Sequence, residues 1–330
     1  MNSSVNREAV QFGAFVDARH TGSSARLQAL GFDSIWVGEH VFFHVPFFDG
    51  LTTLAAVAAQ TSRVRIGSAV LLLALRPAAA VASAAMTLDH LSGGRLTLGV
   101  GVGGEYPKEF EACGVPLYER GARTNEAIDV LRMLWTGDEV SFAGRFNQLS
   151  EVRLQPAPIQ PGGPPIWVAG RSDAAIHRAG MLGDGYLPYL FDPPRYDRSL
   201  ARVLEVAEAV GREPASIERA LFLFTCLGRS HEQALAVAAV TLSATYHQDF
   251  EPVLKRYGAI GTREEVADKL TEYVRAGVNH FLFYPGCPWD EVTDQYEQWA
   301  ELVREFHGQS ARPRPGEVMP YKKNPKPSDL

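Results

Sequence analysis

The sequence predicts an α/β protein built as a (β/α)8 TIM barrel with insertions. Three observations lead there. Eight short runs of β-branched and apolar residues recur along the 330 residues. Each run is apolar on both faces, as strands of a covered parallel sheet are. Segments with helical spacing lie between the runs, and strand–helix alternation of this kind points to a parallel barrel.

In order, the expected strands are "VQFGAFV" (10–16), "SIWVGEH" (34–40), "RVRIGSAV" (63–70), "RLTLGVGV" (95–102), "PIWVAG" (165–170), "DGYLPYL" (184–190), "ALFLFTCLG" (220–228) and "HFLFYPG" (280–286). "GSSARLQALG", "LTTLAAVAAQTS" and "RPAAAVASAAMTLDHL" read as helices after the first three. "YERGARTNEAIDVLRMLW" spaces Ala122, Ile128, Leu131 and Leu134 helically, with Gly137 as its expected C-cap. "SDAAIHRAGMLG" opens on Ser172 as an N-cap. Residues 231–277 hold two or three helices divided by Gly258 and Gly261, and "DEVTDQYEQWAELVREFH" is the last helix. The expected organisation is a single barrel domain over 1–308. It carries an insertion at about 138–164, a hairpin turning at Ala143-Gly144 followed by a Pro-rich crossover. A polar, Pro-rich C-terminal tail covers 309–330.

The net charge of −6 leaves no basic field for nucleic acid or anionic lipid. The most apolar stretch, "SAVLLLAL" (68–75), stops at Arg76-Pro77 and is far shorter than the roughly 20 residues of a membrane span. The first ten residues carry no apolar signal core, and the three cysteines form no C-x-x-C, so a cytoplasmic setting is expected.

Function is expected at the C-terminal ends of the strands, where barrel active sites lie. "LTLGVGVGGEYPKEF" (96–110) ends the fourth strand in Gly99, Gly101, Gly103 and Gly104. Read loosely this is a dinucleotide fingerprint. It lacks the required context, because it does not close the first strand of a βαβ unit and no acidic residue ends the next strand about 20 residues on. The glycines read instead as the wall of a pocket for a planar cofactor. Glu39 and His40 end the second strand, and an acid beside an imidazole at the rim can move protons; the alternative is a structural pair. His44 reads as pocket wall. Glu105, beside an apolar pocket, reads as an acid or as an acidic residue opening a helix. Gly170, Arg171 and Ser172 lead into a helix N-terminus and read as a phosphate cradle, or as an ordinary capped turn. The small residues Gly67, Ser68 and Ala69 before Val70 suit a flat ring or tight barrel packing equally. No metal site is expected: His40 and His44 have a ligand's spacing but sit at a strand end and in a loop. No G-x-S-x-G elbow is present.

Together these segments resemble the bacterial luciferase-like monooxygenase family over residues 10 to 305. The carriers are "LGFDSIWVGEH", "RVRIGSAVLLLALRPAAAVASAAMTLDHLSGGRLTLGVGVGGEYPKEFEACGVP", "ERGARTNEAIDVLRMLWTG", "PPIWVAGRSDAAIHRAGMLGDGYLPY" and "GTREEVADKLTEYVRAGVNHFLF". The resemblance implies a luciferase-like barrel, often a homodimer. It implies a flavin or deazaflavin over the strand ends, with its phosphate after the fifth strand. It also implies a non-proline cis peptide at Ala69–Val70 behind the ring. The Glu39-His40 pair and the glycine segment look most like the branch that uses the deazaflavin coenzyme F-420, whose sugar-phosphate dehydrogenases imply proton-transfer roles for His40 and Glu105. Those enzymes carry Trp at the place of His44, and no basic cluster for a sugar phosphate is visible, so an apolar or aromatic small-molecule substrate is expected. The alternatives are an FMN-dependent two-component monooxygenase served by a flavin reductase, with Arg171 and Arg76 weighed as a basic rim for F-420 instead, and a flavin-binding protein without turnover.

Overall fold

The computed structural model describes residues 10–308; the expected tail at 309–330 lies outside the described residues. In chain order the strands are β1 (Gln11–Phe15), β2 (Ser34–Val37), β3 (Arg65–Leu72), β4 (Leu96–Gly101), β5 (Glu139–Ala143), β6 (Gln148–Arg153), β7 (Ile166–Ala169), β8 (Gly185–Leu187), β9 (Glu218–Leu227), β10 (Ala259–Gly261) and β11 (His280–Pro285). The helices are α1 (Ser24–Leu30), α2 (Gly50–Gln60), α3 (Ala78–Ser92), α4 (Pro107–Ala112), α5 (Arg120–Leu134), α6 (Asp173–Leu182), α7 (Pro193–Ala209), α8 (His231–Tyr246), α9 (Glu251–Tyr257), α10 (Arg263–Arg275) and α11 (Val292–Phe306).

Parallel pairing runs β9-β11-β1-β2-β3-β4-β7-β8, and β8 pairs back onto β9. The result is a closed eight-stranded parallel barrel, as the alternation of apolar runs predicts. β5 and β6 form a separate antiparallel hairpin. Three elements differ from the sequence reading. α7 is a helix where the sequence reading has none, although Asp192 caps it by accepting from the Arg195 N–H and two prolines open it. β10 lies between Gly258 and Gly261 and extends the sheet beyond β9. α5 ends with Trp135 as its C-cap, and Gly137 sits two residues later at φ 75°. Ser172 caps α6 as expected, accepting from the Ala175 N–H. No helix among the described residues is long and apolar enough to cross a membrane.

The packing inside the barrel decides where space remains. Trp36 and Trp167 are fully buried, with ring centroids 4.9 Å apart. A Cβ at Gly67 would overlap the Trp36 ring, and one at Gly185 would overlap Trp167, so glycine at these positions admits the two indoles. Strand periodicity of two then carries the inward positions to Gly38, Ala69, Gly101 and Ala169 one layer higher. All four are small and all line one cavity at the C-terminal mouth. The barrel is filled below by two tryptophans and left open above.

At that mouth the Ala69–Val70 peptide is cis, and the register of β3 against β4 shifts between Ser68 and Leu71. A Cβ on Gly101 would lie 2.5 Å from Val70 Cγ2. Glycine at 101 therefore also makes room for the Val70 side chain.

At the opposite end of the barrel, Trp36 Nε1 donates to Ser34 Oγ at 2.7 Å, and Ser34 Oγ lies 2.7 Å from His280 Nε2. His280 is 1% exposed. Burial, reinforced by the Arg65 charge, holds its imidazole well below the ordinary value of 6.5.

Two outcomes are expected. Because unfolded His280 takes up a proton before the folded form does, stability falls as pH drops below about 6.5, by up to about 1.4 kcal/mol per unit from this group. Urea midpoints at pH 7.5 and 5.5 read it, and His280→Gln removes that part of the decline. Gly101→Ala costs about 1–3 kcal/mol through overpacking. In a Val70→Ala background the cost drops by about 1 kcal/mol or more, whereas simple additivity in the double-mutant cycle would show that the two do not meet.

Candidate active site

A cavity of about 410 Å³ opens at the C-terminal ends of the strands. It gathers ten of the residues singled out from the sequence: Glu39, His40, Ala69, Val70, Gly101, Gly103, Glu105, Gly170, Arg171 and Ser172. They come from four strand ends and from loops up to 133 positions apart, counted from Glu39 to Ser172. One wall consists of the small residues at the ends of β3, β4 and β7. The facing wall is aromatic, with Phe47, Tyr189, Phe222, Tyr246 and Tyr284.

Glu39 and His40, adjacent in sequence, do different work. The Glu39 side chain is 1% exposed. Its carboxylate accepts from Arg76 Nη2 at 2.8 Å, and from Arg76 Nε and the N–H groups of Leu72 and Gly50 at 3.3 Å each. Burial pushes its carboxyl above the ordinary range, and the Arg76 guanidinium pulls the other way. With its lone pairs engaged by four donors, Glu39 is an anchor. The expectation of a proton-transfer role is corrected on that ground. Arg76 is committed as well, since it also binds Asp49 at 2.6 Å. It is therefore no basic rim for a cofactor.

His40 faces the cavity. Its Nδ1 donates to the Glu109 carboxylate, with both oxygens 3.3 Å away. Phe43 stacks on the ring at 4.1 Å and Phe47 meets it edge-on at 5.0 Å. Nε2 has no protein partner among the described residues. A proton on Nδ1 leaves Nε2 of the neutral ring as a base. Glu109 was not singled out from the sequence. It is fully buried on the first turn of α4, where it also accepts the Val41 N–H at 3.2 Å. Its distance of 69 positions from His40 hides the pairing.

Glu105 is exposed, so the burial expected to make it an acid is missing. It accepts a hydrogen bond from the Tyr189 hydroxyl. Burial and the Glu105 charge push that hydroxyl far up, so Tyr189 stays protonated as a donor. The Arg171 guanidinium lies 4.5 Å over the Tyr189 ring. Gly170 has φ 130°, a conformation that favours glycine, and turns the chain into α6. Gly103, at φ 61°, does the same at the exit of β4. Arg120 was also missed. It lines the cavity, its Nη1 donates to the Leu117 carbonyl at 2.8 Å, and its Nε is buried with no protein partner. His44 stacks on His247 at 4.4 Å and does not line this cavity, so the pocket-wall reading is corrected. No group of three or more His, Cys, Asp or Glu among the described residues is placed to hold a metal ion.

A family model described as luciferase-like monooxygenase matches residues 13–280. An F-420-dependent glucose-6-phosphate dehydrogenase of Amycolatopsis mediterranei is 30% identical over 307 residues, covering 83% of this chain and 91% of that protein. An uncharacterised Mycobacterium tuberculosis protein is 41% identical over 167 residues, and the chain spans only 57% of its length. Among solved structures, an F-420-dependent secondary alcohol dehydrogenase bound to an F-420–acetone adduct superimposes with a TM-score of 0.79. Its identity is 22%, covering 89% of this chain and 98% of that one. A monooxygenase from Streptomyces bottropensis gives a TM-score of 0.75 at 24% identity, covering 91% and 98%. At such identities these two structures speak for the fold. With a matching family model over most of its length and a relative at 30% identity covered to 91%, the chain belongs to the luciferase-like monooxygenase family.

Proposed function

We propose that the protein is an oxidoreductase that transfers hydride between coenzyme F-420 and a small apolar or aromatic alcohol or carbonyl compound. The observation that carries this reading is His40, pinned at Nδ1 by the buried Glu109 and facing a cavity with one small-residue wall and one aromatic wall. The F-420-dependent relatives support the choice of cofactor.

The residues present fit such a cofactor. A planar ring system needs a wall without projecting side chains, which Ala69, Gly101 and Ala169 supply beside Val70. A phosphate needs donors. The orphaned Nε of Arg120, the Arg171 guanidinium, the Ser172 hydroxyl and the leading N–H groups of α6 would hold it. When bound, the deazaflavin supplies the hydride chemistry.

The chain's own part is proton management and orientation. As a substrate hydroxyl becomes a carbonyl, Nε2 of His40 takes the hydroxyl proton, and in the reverse direction it returns it. The Glu109 carboxylate fixes the tautomer and steadies the imidazolium. Glu105 positions Tyr189, and Tyr189 carries Arg171. The aromatic wall excludes water and binds apolar surface. The cations lining the cavity are Arg120 and Arg171, both assigned to the cofactor phosphate, which leaves none for a phosphorylated substrate. The geometry carries no feature that favours the FMN-dependent or storage alternatives. A pure binding protein has no use for the His40–Glu109 pair.

The test is anaerobic incubation of the protein with oxidised F-420 and a panel of secondary alcohols, reading loss of the cofactor's visible absorbance. Bleaching with neutral alcohols, and none with glucose 6-phosphate, is expected. His40→Gln lowers kcat by about a hundredfold or more and leaves F-420 binding in place. Glu109→Gln lowers kcat with little change in KM. Turnover only with FMN and oxygen would overturn the proposal.

A further inference from the structure

A second cavity of about 230 Å³ adjoins the first. The two share Gly38, Phe47 and Tyr284, so these residues form the boundary between them. Beyond it the walls are apolar, formed chiefly by Phe15, Val37, Val45, Phe48 and Trp289. Several of these come from the loop between β2 and α2.

The far end holds charge, but all of it is paired. Asp17 binds Arg19 at 2.5 Å and His20 at 2.7 Å. The Arg19 guanidinium rests 5.6 Å over the Phe48 ring, and His20 stacks on Trp289 at 5.3 Å. No uncommitted cation faces this cavity among the described residues. One polar group on this boundary is unmatched. Tyr284 is 8% exposed, and its hydroxyl has no hydrogen-bond partner among the described residues.

We propose that this second cavity is a substrate subsite that takes the apolar arm of an elongated, neutral ketone or alcohol, whose polar carbon lies in the main cavity within reach of the Tyr284 hydroxyl. The placement of the reacting carbon rests on the proposed hydride transfer, while the side cavity does not depend on it. Neutrality follows from the charge pairing: a carboxylate at the end of the arm would meet Asp17 and a guanidinium already engaged. Length preference follows from the walls, because each methylene entering past Phe47 leaves water for apolar contact. The specificity then resides in the β2–α2 loop, and a loop can change without disturbing the barrel.

The experiment is calorimetric titration of the protein without cofactor, using butan-2-one, hexan-2-one, octan-2-one and octanoate. Binding tightens by about fourfold per methylene along the ketones, equivalent to about 0.8 kcal/mol each. Val45→Trp, which fills the side cavity from a loop position, reduces the gain to below about 1.5-fold per methylene. Octanoate binds at least about tenfold more weakly than octan-2-one, a difference of about 1.4 kcal/mol. A flat series in the wild type, an unchanged slope in Val45→Trp, or octanoate binding as tightly as octan-2-one each overturns the subsite. An intact series in a protein that neither binds nor turns over F-420 would support the subsite and overturn the hydride-transfer reading.

Discussion

The buried Glu39 carboxylate is the interaction on which the site is built. It joins the end of β2 to the exit of β3 through the Leu72 N–H, to the start of α2 through the Gly50 N–H, and to both through Arg76. Arg76 extends the network to Asp49, which caps α2 by accepting from Thr52 N. Removing one member of such a pair leaves a charge buried without its partner, at a typical cost of about 3–5 kcal/mol. Glu39 therefore holds three chain segments at the rim, and the residue that follows it is placed by default. His40 faces the cavity because its neighbour is fixed on the other side of the chain.

The cavity itself is a consequence of strand periodicity and side-chain size. Two indoles fill the lower barrel, and glycines at 67 and 185 make room for them. Two residues beyond Trp36, Gly67 and Trp167 the inward positions are the small Gly38, Ala69 and Ala169, so the space above stays open. The same parsimony explains Gly101, whose missing Cβ accommodates Val70. A flat cofactor wall and tight barrel packing are thus one arrangement, with glycine demanded by the protein's own side chains. In the proposed reading the rim divides the labour: β4 and β7 would face phosphate and ring, and the β2–α2 loop and β11 would face the substrate.

Much of this is legible in the sequence. The eight apolar runs give the strands of the barrel, and strand ends give the rim, so a position such as His40 or Gly170 is placed in the right region by its place in a run. What stays hidden depends on contacts between distant segments. Glu109 shows no spacing to His40 that marks it, and only α4 packing against the β2 exit brings them together. Adjacent Glu39 and His40 look like a pair, yet their side chains part because one has four donors and the other a cavity. Exposure of Glu105 depends on how Tyr189 approaches from β8, which no local pattern reports. Arg120 lies in a helix whose amphipathic pattern accounts for it as surface. α7 was signalled by Asp192 and the two prolines after it, and only its weakly apolar composition hid it.

The central claim is that the protein binds F-420 in preference to FMN, as its F-420-dependent relative suggests, with the small-residue wall and the donors around Arg120 and α6 proposed to hold it. Equilibrium titration of the wild type and of Arg120→Met with each cofactor, followed by fluorescence, tests it most directly. The account predicts micromolar or tighter binding of F-420, FMN weaker by about tenfold or more, and a loss of about tenfold or more for F-420 in Arg120→Met, as expected for a charge-assisted hydrogen bond. Tighter binding of FMN than of F-420 by the wild type would contradict it.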